Sequence, residues 1–574
     1  MITKNLSGKL SLCLIIVLFI LSGLFSPCFG KDIKSWSFGV MGDTQWTPWG
    51  TKDGKNVLGH DPEGKNPNSV STSIITQINK EFIDRGVKFV VQVGDITDWG
   101  TDEAVSSRAD AAKELYNAGI GFFCMRGNHE TYSNIYFGSM PANDYCIPAI
   151  QKYFPQHRGE GAHVFGAYNF SSPASADPEL KNMSAELKGL SYAFDYGDNE
   201  NSATFVIIDP WVTPTQLKTY NGLHVSYGYP VGVQQKWISG RLDKDKRNTM
   251  HAFVFSHQPL IAASHEDSLF GFLDTDTEEQ NTFYNELKRN KVHYYLSGHD
   301  HIHQRNIIKS PDGKNEIEQL ISAAACPKFY KSKPDNAPGW HGHKYRSTTL
   351  SQEISNIGFY IYTVDGPIVT VDYYSDSKGG YSGNNKWPDG TGSLVTPEFS
   401  FVKKESWSYS LNGKSFLIKQ GDSYATVKDS YKSTNARIID GFNDSKLADD
   451  LGKPLVKKIN TGWKKVQDNN ILVSDIFHLS GMTDPGSRAS DTFTLSMSCP
   501  QRPGDKVAYH IMSKKPDMSW VNAVEMNKGG SKQFIDGPYK TSYGLGTYGI
   551  DRKNNRVWAV VNFNGYFAIG RATE

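Results

Sequence analysis

The sequence predicts an α/β sandwich followed by a mostly β C-terminal domain, and three observations predict it. Between Ser35 and Leu320, short β-branched or aromatic runs alternate with helical patterns. The runs are apolar on both parities, as a sheet covered on two faces requires. After Asn356 the pattern becomes strand, turn, strand, and from about residue 398 the helical signal fades into alternating runs that meet at Asn-Gly pairs. At 574 residues the chain is long enough for more than one domain.

The elements follow in order. Lys4 and Lys9 precede the apolar stretch from Leu10 to Phe25, and small residues follow before Lys31-Asp32. That is the pattern of a cleaved export signal over residues 1–30, so the mature protein is expected in the periplasm or outside the cell, with no membrane span after removal. Strand runs are expected at Trp36–Met41, Val87–Val93, Ile120–Met125, Thr204–Ile208, His251–Phe255 and Val292–Leu296. A helix with Ile74, Ile75, Ile78 and Phe82 on one face ends at Gly86, and another with Ala109, Ala112, Leu115 and Tyr116 ends at Gly119. Further helices fit Gln234–Leu242 and Glu278–Arg289. Two polar insertions, 47–68 and 131–189, follow strand ends, where open α/β sheets bind ligands. Ile357–Val364 and Ile368–Tyr374 flank a turn at Asp365-Gly366-Pro367. These features place an α/β domain at 31–376, a Gly/Ser/Asn-rich linker at 377–397 and a β-rich accessory domain at 398–574.

Composition narrows the function. Hydrophobic residues at 38% supply real cores, and Lys+Arg 61 against Asp+Glu 60 leaves no basic excess or other signature for nucleic acid. Once the leader is removed, Cys124, Cys146, Cys326 and Cys499 remain, without CxxC or zinc-finger spacing. Buried apolar filler is their expected role, with a Cys124–Cys146 bridge as the alternative.

The chemistry stands at the ends of the strand runs. Gly42-Asp43-Thr44-Gln45 follows the first and Gly94-Asp95-Ile96-Thr97-Asp98 the second, while Gly127-Asn128-His129-Glu130 follows the third. Ser256-His257-Gln258-Pro259 and Ser297-Gly298-His299-Asp300-His301 end two later runs. Imidazole and carboxylate oxygen suit Mn, Fe, Zn or Co, and the set is too large for one ion. A pair of ions uses it.

In their order, each following a strand run, these blocks resemble the calcineurin-like metallophosphoesterase superfamily, whose pattern is D-x-H, GDxxD, GNH[ED], H and GHxH, over about residues 35–375. The resemblance implies an enzyme that hydrolyses phosphate mono- or diesters through a hydroxide bridging two divalent ions. It implies Asp43 and His301 on the first ion, Asn128, His257 and His299 on the second, and Asp95 bridging both. His129 then stabilises or protonates the leaving oxygen, with Asp98 orienting it. Gln45 departs from the family's histidine at that place and can offer the first ion only a neutral amide oxygen or stay out of its shell. Asp98 stands where purple acid phosphatases carry a tyrosine ligand, which sets the chain apart from that branch. The alternative is a protein without catalysis that uses the fold as a scaffold, or that contacts glycans or a cell surface through the aromatic C-terminal domain.

Overall fold

The computed structural model describes residues 35–45, 51–52, 55–56, 67–97, 100–131, 143–173, 188–211, 217–220, 223–226, 231–271, 276–326, 328–330, 332–333, 344–366, 368–377, 398–411, 415–418, 426–427, 434–439, 472–473, 476–480, 492–499, 508–515, 517, 519–540, 542–563 and 565–571. Residues 1–30, read as an export signal, lie outside them, as do Asp98 and residues 378–397 of the expected linker at 377–397. Among the described residues no helix is long and apolar enough to cross a membrane.

The first half is a sandwich of two sheets with helices outside both. In one sheet β1 (Trp36–Met41), β2 (Phe89–Gln92) and β3 (Gly121–Cys124) run parallel. Between β1 and β2 lies α1 (Pro67–Asp84), and between β2 and β3 lie α2 (Asp102–Ala111) and α3 (Lys113–Asn117). The single helix expected there is broken at Ala112. A further helix, α4 (Asn143–Tyr153), lies inside the stretch read as a polar insertion.

The second sheet carries β4 (Ala203–Ile208), β5 (His251–Ser256), β6 (Tyr294–Ser297), β7 (His303–Lys309) and β8 (Glu316–Ile321). Of these β4, β5, β6 and β8 are parallel neighbours, with β7 antiparallel on β8. Its outer face is covered by α5 (Gln235–Leu242) and α6 (Thr277–Arg289). The apolar parity explains the layers. Phe38, Val40, Val91, Phe123, Phe205, Phe253 and Leu296 fill the space between the sheets. Met41, Val90 and Phe122 point outward to Ile74, Ile78 and Phe82, while Val206 and Val254 meet Phe283 and Leu287. Aromatic pairs add directional packing at the centre, with Phe38 stacked on Phe89 at 5.3 Å and edge-on to Phe205 at 5.0 Å.

The chain then pairs β9 (Gly358–Asp365) antiparallel with β1, and β10 (Ile368–Asp376) with β9. The next strand, β11 (Phe401–Ser410), is bonded to β10 along its whole length. Its Trp407 and Tyr409 belong to the inter-sheet core of the first half. Beyond it the sheet continues through Thr434–Ile439, Ile476–Ser480, Gly565–Arg571, Tyr509–Lys514 and Trp520–Asn522. A second C-terminal sheet includes Ser415–Ile418, Phe493–Ser498 and Arg556–Val561. Asn-Gly between alternating runs predicts a hairpin, and neither pair joins one. The strands flanking Asn412-Gly413 lie in different sheets, as do those flanking Asn564-Gly565. In a two-sheet architecture a strand can cross to the facing layer, and local turn propensity does not report that choice.

Candidate metal centre

Five parallel strands, β1, β2 and β3 of one sheet and β5 and β6 of the other, end at the same edge of the sandwich. The loops after them bring Asp43, Asp95, Asn128, His257, His299 and His301 together. All six are buried. Two glycines of the motifs are required by the crowding. A Cβ on Gly127 would stand 1.8 Å from Asp95 Oδ1, and one on Gly94, already at φ +92°, would stand 2.3 Å from His257 Nδ1. Gln45, Asp95, His299 and His301 all adopt left-handed backbone conformations, at φ 40°, 43°, 73° and 51°. Such conformations cost a non-glycine residue energy and concentrate at functional sites.

The side chains form two groups that share Asp95. In the first, ligand-type atoms of Asp43, Asp95 and His301 all lie within 4.8 Å of one another. In the second, Asn128 Oδ1 is 2.9 Å from His257 Nε2 and 3.0 Å from His299 Nδ1, and His257 Nε2 is 3.3 Å from Asp95 Oδ1. Four ligands around a zinc-sized ion at 2.0–2.1 Å stand about 3.4 Å apart, so these separations are close to those an ion would set.

The histidines are fixed from behind. His257 Nδ1 is 2.8 Å from the Val93 carbonyl, His299 Nε2 is 2.8 Å from Asp267 Oδ1, and His301 Nδ1 is 3.1 Å from the Lys328 carbonyl. Each ring therefore commits one nitrogen outside the centre and turns the other inward, the support that metal-binding histidines receive. The inward Nε2 of His301 is buried and has no hydrogen-bond partner. An orphaned buried nitrogen facing two carboxylates is costly unless a cation meets it. The donor set fits divalent metal.

The electrostatics agree. Burial raises the pKa of Asp43 to about 7, against the pull of His257 and with the help of Asp95. Burial also acts on Asp95, but His257 and His129 more than offset it and hold that carboxylate well below its ordinary range. Burial pushes His257 down, yet Asp95 and Asp43 outweigh it and raise the group to about 10. His301 is kept well below its ordinary value, chiefly by burial. The opposed shifts of His257 and Asp95 are those of a mutually stabilising ion pair.

His129 stands at the mouth, with a side-chain exposure of 17%, and its Nε2 is 3.9 Å from Asp95 Oδ2. Its backbone N–H donates to Asp95 Oδ1 at 3.1 Å. Gln45 reaches the centre by its Nε2, 3.4 Å from Asp95 Oδ2, and its Oε1 faces the thiol of Cys326 at 3.8 Å.

Other histidines and charges have structural settings. His303 bonds Tyr360 and Glu405, and Arg305 lies between Glu318 and Glu405 with its guanidinium 3.9 Å from the centre of the Trp407 ring. Asp209 pairs with buried Arg126 at 2.6 Å and caps the turn at Trp211. Cys124, Cys146, Cys326 and Cys499 are free and buried. Sequence reasoning missed Asp267 and Asp300. Asp300 accepts backbone N–H bonds from Ala263, Ser264 and His265 and so pins the loop that carries Asp267. The clue was Asp300 itself, a buried-type acid between two candidate ligands; nothing marks Asp267.

Residues 37–303 match the family model described as calcineurin-like phosphoesterase. These residues belong to that family. No curated protein matches the chain. Among solved structures, a dimetal phosphatase from Danio rerio is 13% identical, with 59% of this chain and 96% of that one covered at a TM-score of 0.34. GAP50, the anchor in the inner membrane complex of Plasmodium, is 16% identical over 61% and 88%, at 0.33. A purple acid phosphatase from yellow lupin (Lupinus luteus) seeds is 15% identical over 60% and 52%, at 0.38.

Proposed function

We propose that the chain is an exported, metal-dependent phosphoesterase that hydrolyses phosphate mono- or diesters at a two-metal centre. The observation that carries this reading is the inward convergence of Asp43, Asp95, Asn128, His257, His299 and His301, with the nitrogen of His301 left unpartnered. Asp43, Asp95 and His301 would hold one divalent ion, and Asn128, His257, His299 and Asp95 the other. When bound, such ions neutralise phosphoryl oxygens and lower the pKa of water toward neutrality. Asn128 brings an oxygen without charge, so two carboxylates leave the loaded centre positive and receptive to a phosphate ester. His129, half-buried at the mouth, is placed to hold a proton for the departing oxygen. Asp98 is its proposed orienting partner, as the family pattern implies.

The test is a panel of aryl phosphate mono- and diesters on metal-stripped protein, with Mn, Fe, Zn and Co restored singly. Activity that returns with metal supports the reading. Stoichiometric metal uptake without hydrolysis of any ester would favour the scaffold alternative.

A further inference from the structure

Behind the first group lies a thiol that the phosphoesterase reading does not use. The segment 323–326 runs alongside 42–45, tied by a bond from the Ala325 N–H to the Asp43 carbonyl at 3.1 Å. A Cβ on Gly42 would stand 2.1 Å from the Ala323 carbonyl oxygen, so the two segments are in direct contact. This places Cys326 Sγ 3.8 Å from Gln45 Oε1 and 3.7 Å from His301 Nδ1. Cys326 is 1% exposed and Gln45 5%. The thiol therefore backs both the residue that departs from the family pattern and the one whose inward nitrogen has no partner.

We infer that Cys326 is a positioning residue for the first metal, a reversible hydrogen-bond partner that lets Gln45 serve where the family carries histidine. A thiol is a weak donor and a weak acceptor, and a primary amide has one end of each kind. In the structure the S–H donates to Gln45 Oε1, and Gln45 Nε2 donates to Asp95 Oδ2. A half-turn of the amide about its last bond exchanges the two ends without moving the chain. Oε1 then stands on the Asp95 side as a neutral ligand, and Nε2–H donates to the sulfur. A hydroxyl in place of the thiol preserves both roles; a methyl group or an isopropyl group preserves neither. The inference rests on the two-metal reading.

The experiment is a Mn(II) titration of the full chain, with free ion read by electron paramagnetic resonance, for wild type, Cys326→Ser, Cys326→Ala and Cys326→Val. Valine keeps the volume of the pocket and guards against an effect of the cavity alone. Wild type should take up two equivalents. Cys326→Ala and Cys326→Val should weaken one equivalent by roughly 10–100-fold, the range for lost outer contacts of a metal ligand, and leave the other unchanged. Cys326→Ser should stay close to wild type. In a Gln45→Ala background the same Cys326→Ala change should have a smaller effect, since the amide it serves is gone. Superimposable isotherms for wild type, Cys326→Ala and Cys326→Val, or a loss spread equally over both equivalents, would overturn the inference. Uptake of fewer than two equivalents by wild type would overturn the two-metal reading itself, and the inference with it.

Discussion

Asp95 is the residue on which the centre turns, because its carboxylate lies within 4.8 Å of the ligand-type atoms of Asp43 and His301 while its Oδ1 stands 3.3 Å from His257 Nε2. Asp95→Ala should therefore abolish binding of one equivalent and weaken the other, whereas Asn128→Ala should affect one only. Metal content after dialysis separates the two. The His129 ring stands 3.9 Å from Asp95 Oδ2 at the mouth, beyond hydrogen-bond distance, and His129→Asn should leave metal content near wild type while lowering turnover roughly 10²–10⁴-fold. The loss should shrink for aryl esters with good leaving groups, which need no proton; an equal loss on good and poor leaving groups would remove the acid role. Protonation gives a third check. Asp43 at about 7 and His257 at about 10 hold protons in the metal-free chain near pH 6 that a cation must displace. Metal should then bind less tightly as pH falls from 8 to 6, with protons released on binding. Calorimetric titration in buffers of different ionisation enthalpy counts them, and an affinity flat across that window would contradict the assignment. Most of these residues were legible because each follows a strand-ending glycine or serine in the sequence. Asp267 was not, because its carboxylate reaches His299 only through the loop that Asp300 pins.

At the scale of the element, the strand runs were legible almost to the residue. A buried parallel strand must be apolar on both parities, and β1 at Trp36–Met41 has the bounds the sequence predicts. The partner of a strand is a different matter. β11 begins just after the linker and reads as the first strand of the accessory domain, yet it is bonded to β10 and sends Trp407 and Tyr409 into the inter-sheet core of the first half. Glu405 of the same strand bonds Arg305 and His303, and His303 opens β7 two residues after His301. A chain ending near residue 385 should therefore be far less stable than one ending at Leu411. Removing a buried aromatic typically costs about 3–5 kcal/mol, and two are lost together. Equal urea midpoints for the two chains would show that β11 adds nothing to the α/β half and would restore a boundary at the linker.

Over the whole molecule, hydrogen bonding and apolar packing divide the chain differently. One sheet runs from β3 at one edge to Trp520–Asn522 at the other, through both halves. The cores do not follow it: the clusters around Phe38 and around Phe82 end with the residues of β11, while Leu495, Ile511, Val557 and Phe567 form a separate cluster. Net ladder bonds contribute about 1 kcal/mol each, whereas each fully buried large apolar side chain contributes about 1.5–3 kcal/mol, so packing should set the cooperative units. Calorimetry should show two unfolding steps. Ligand binding stabilises only the unit that holds the site, by about 2.7 kcal/mol at a hundredfold excess over Kd, so saturating Mn(II) should raise one step by several degrees and leave the other in place. Chelator should reverse the shift, and Asp95→Ala should remove it. If instead a single step moved as a whole, the continuous sheet rather than the separate cores would define the folding unit. Deletion of the C-terminal half would then lower metal affinity as well as stability.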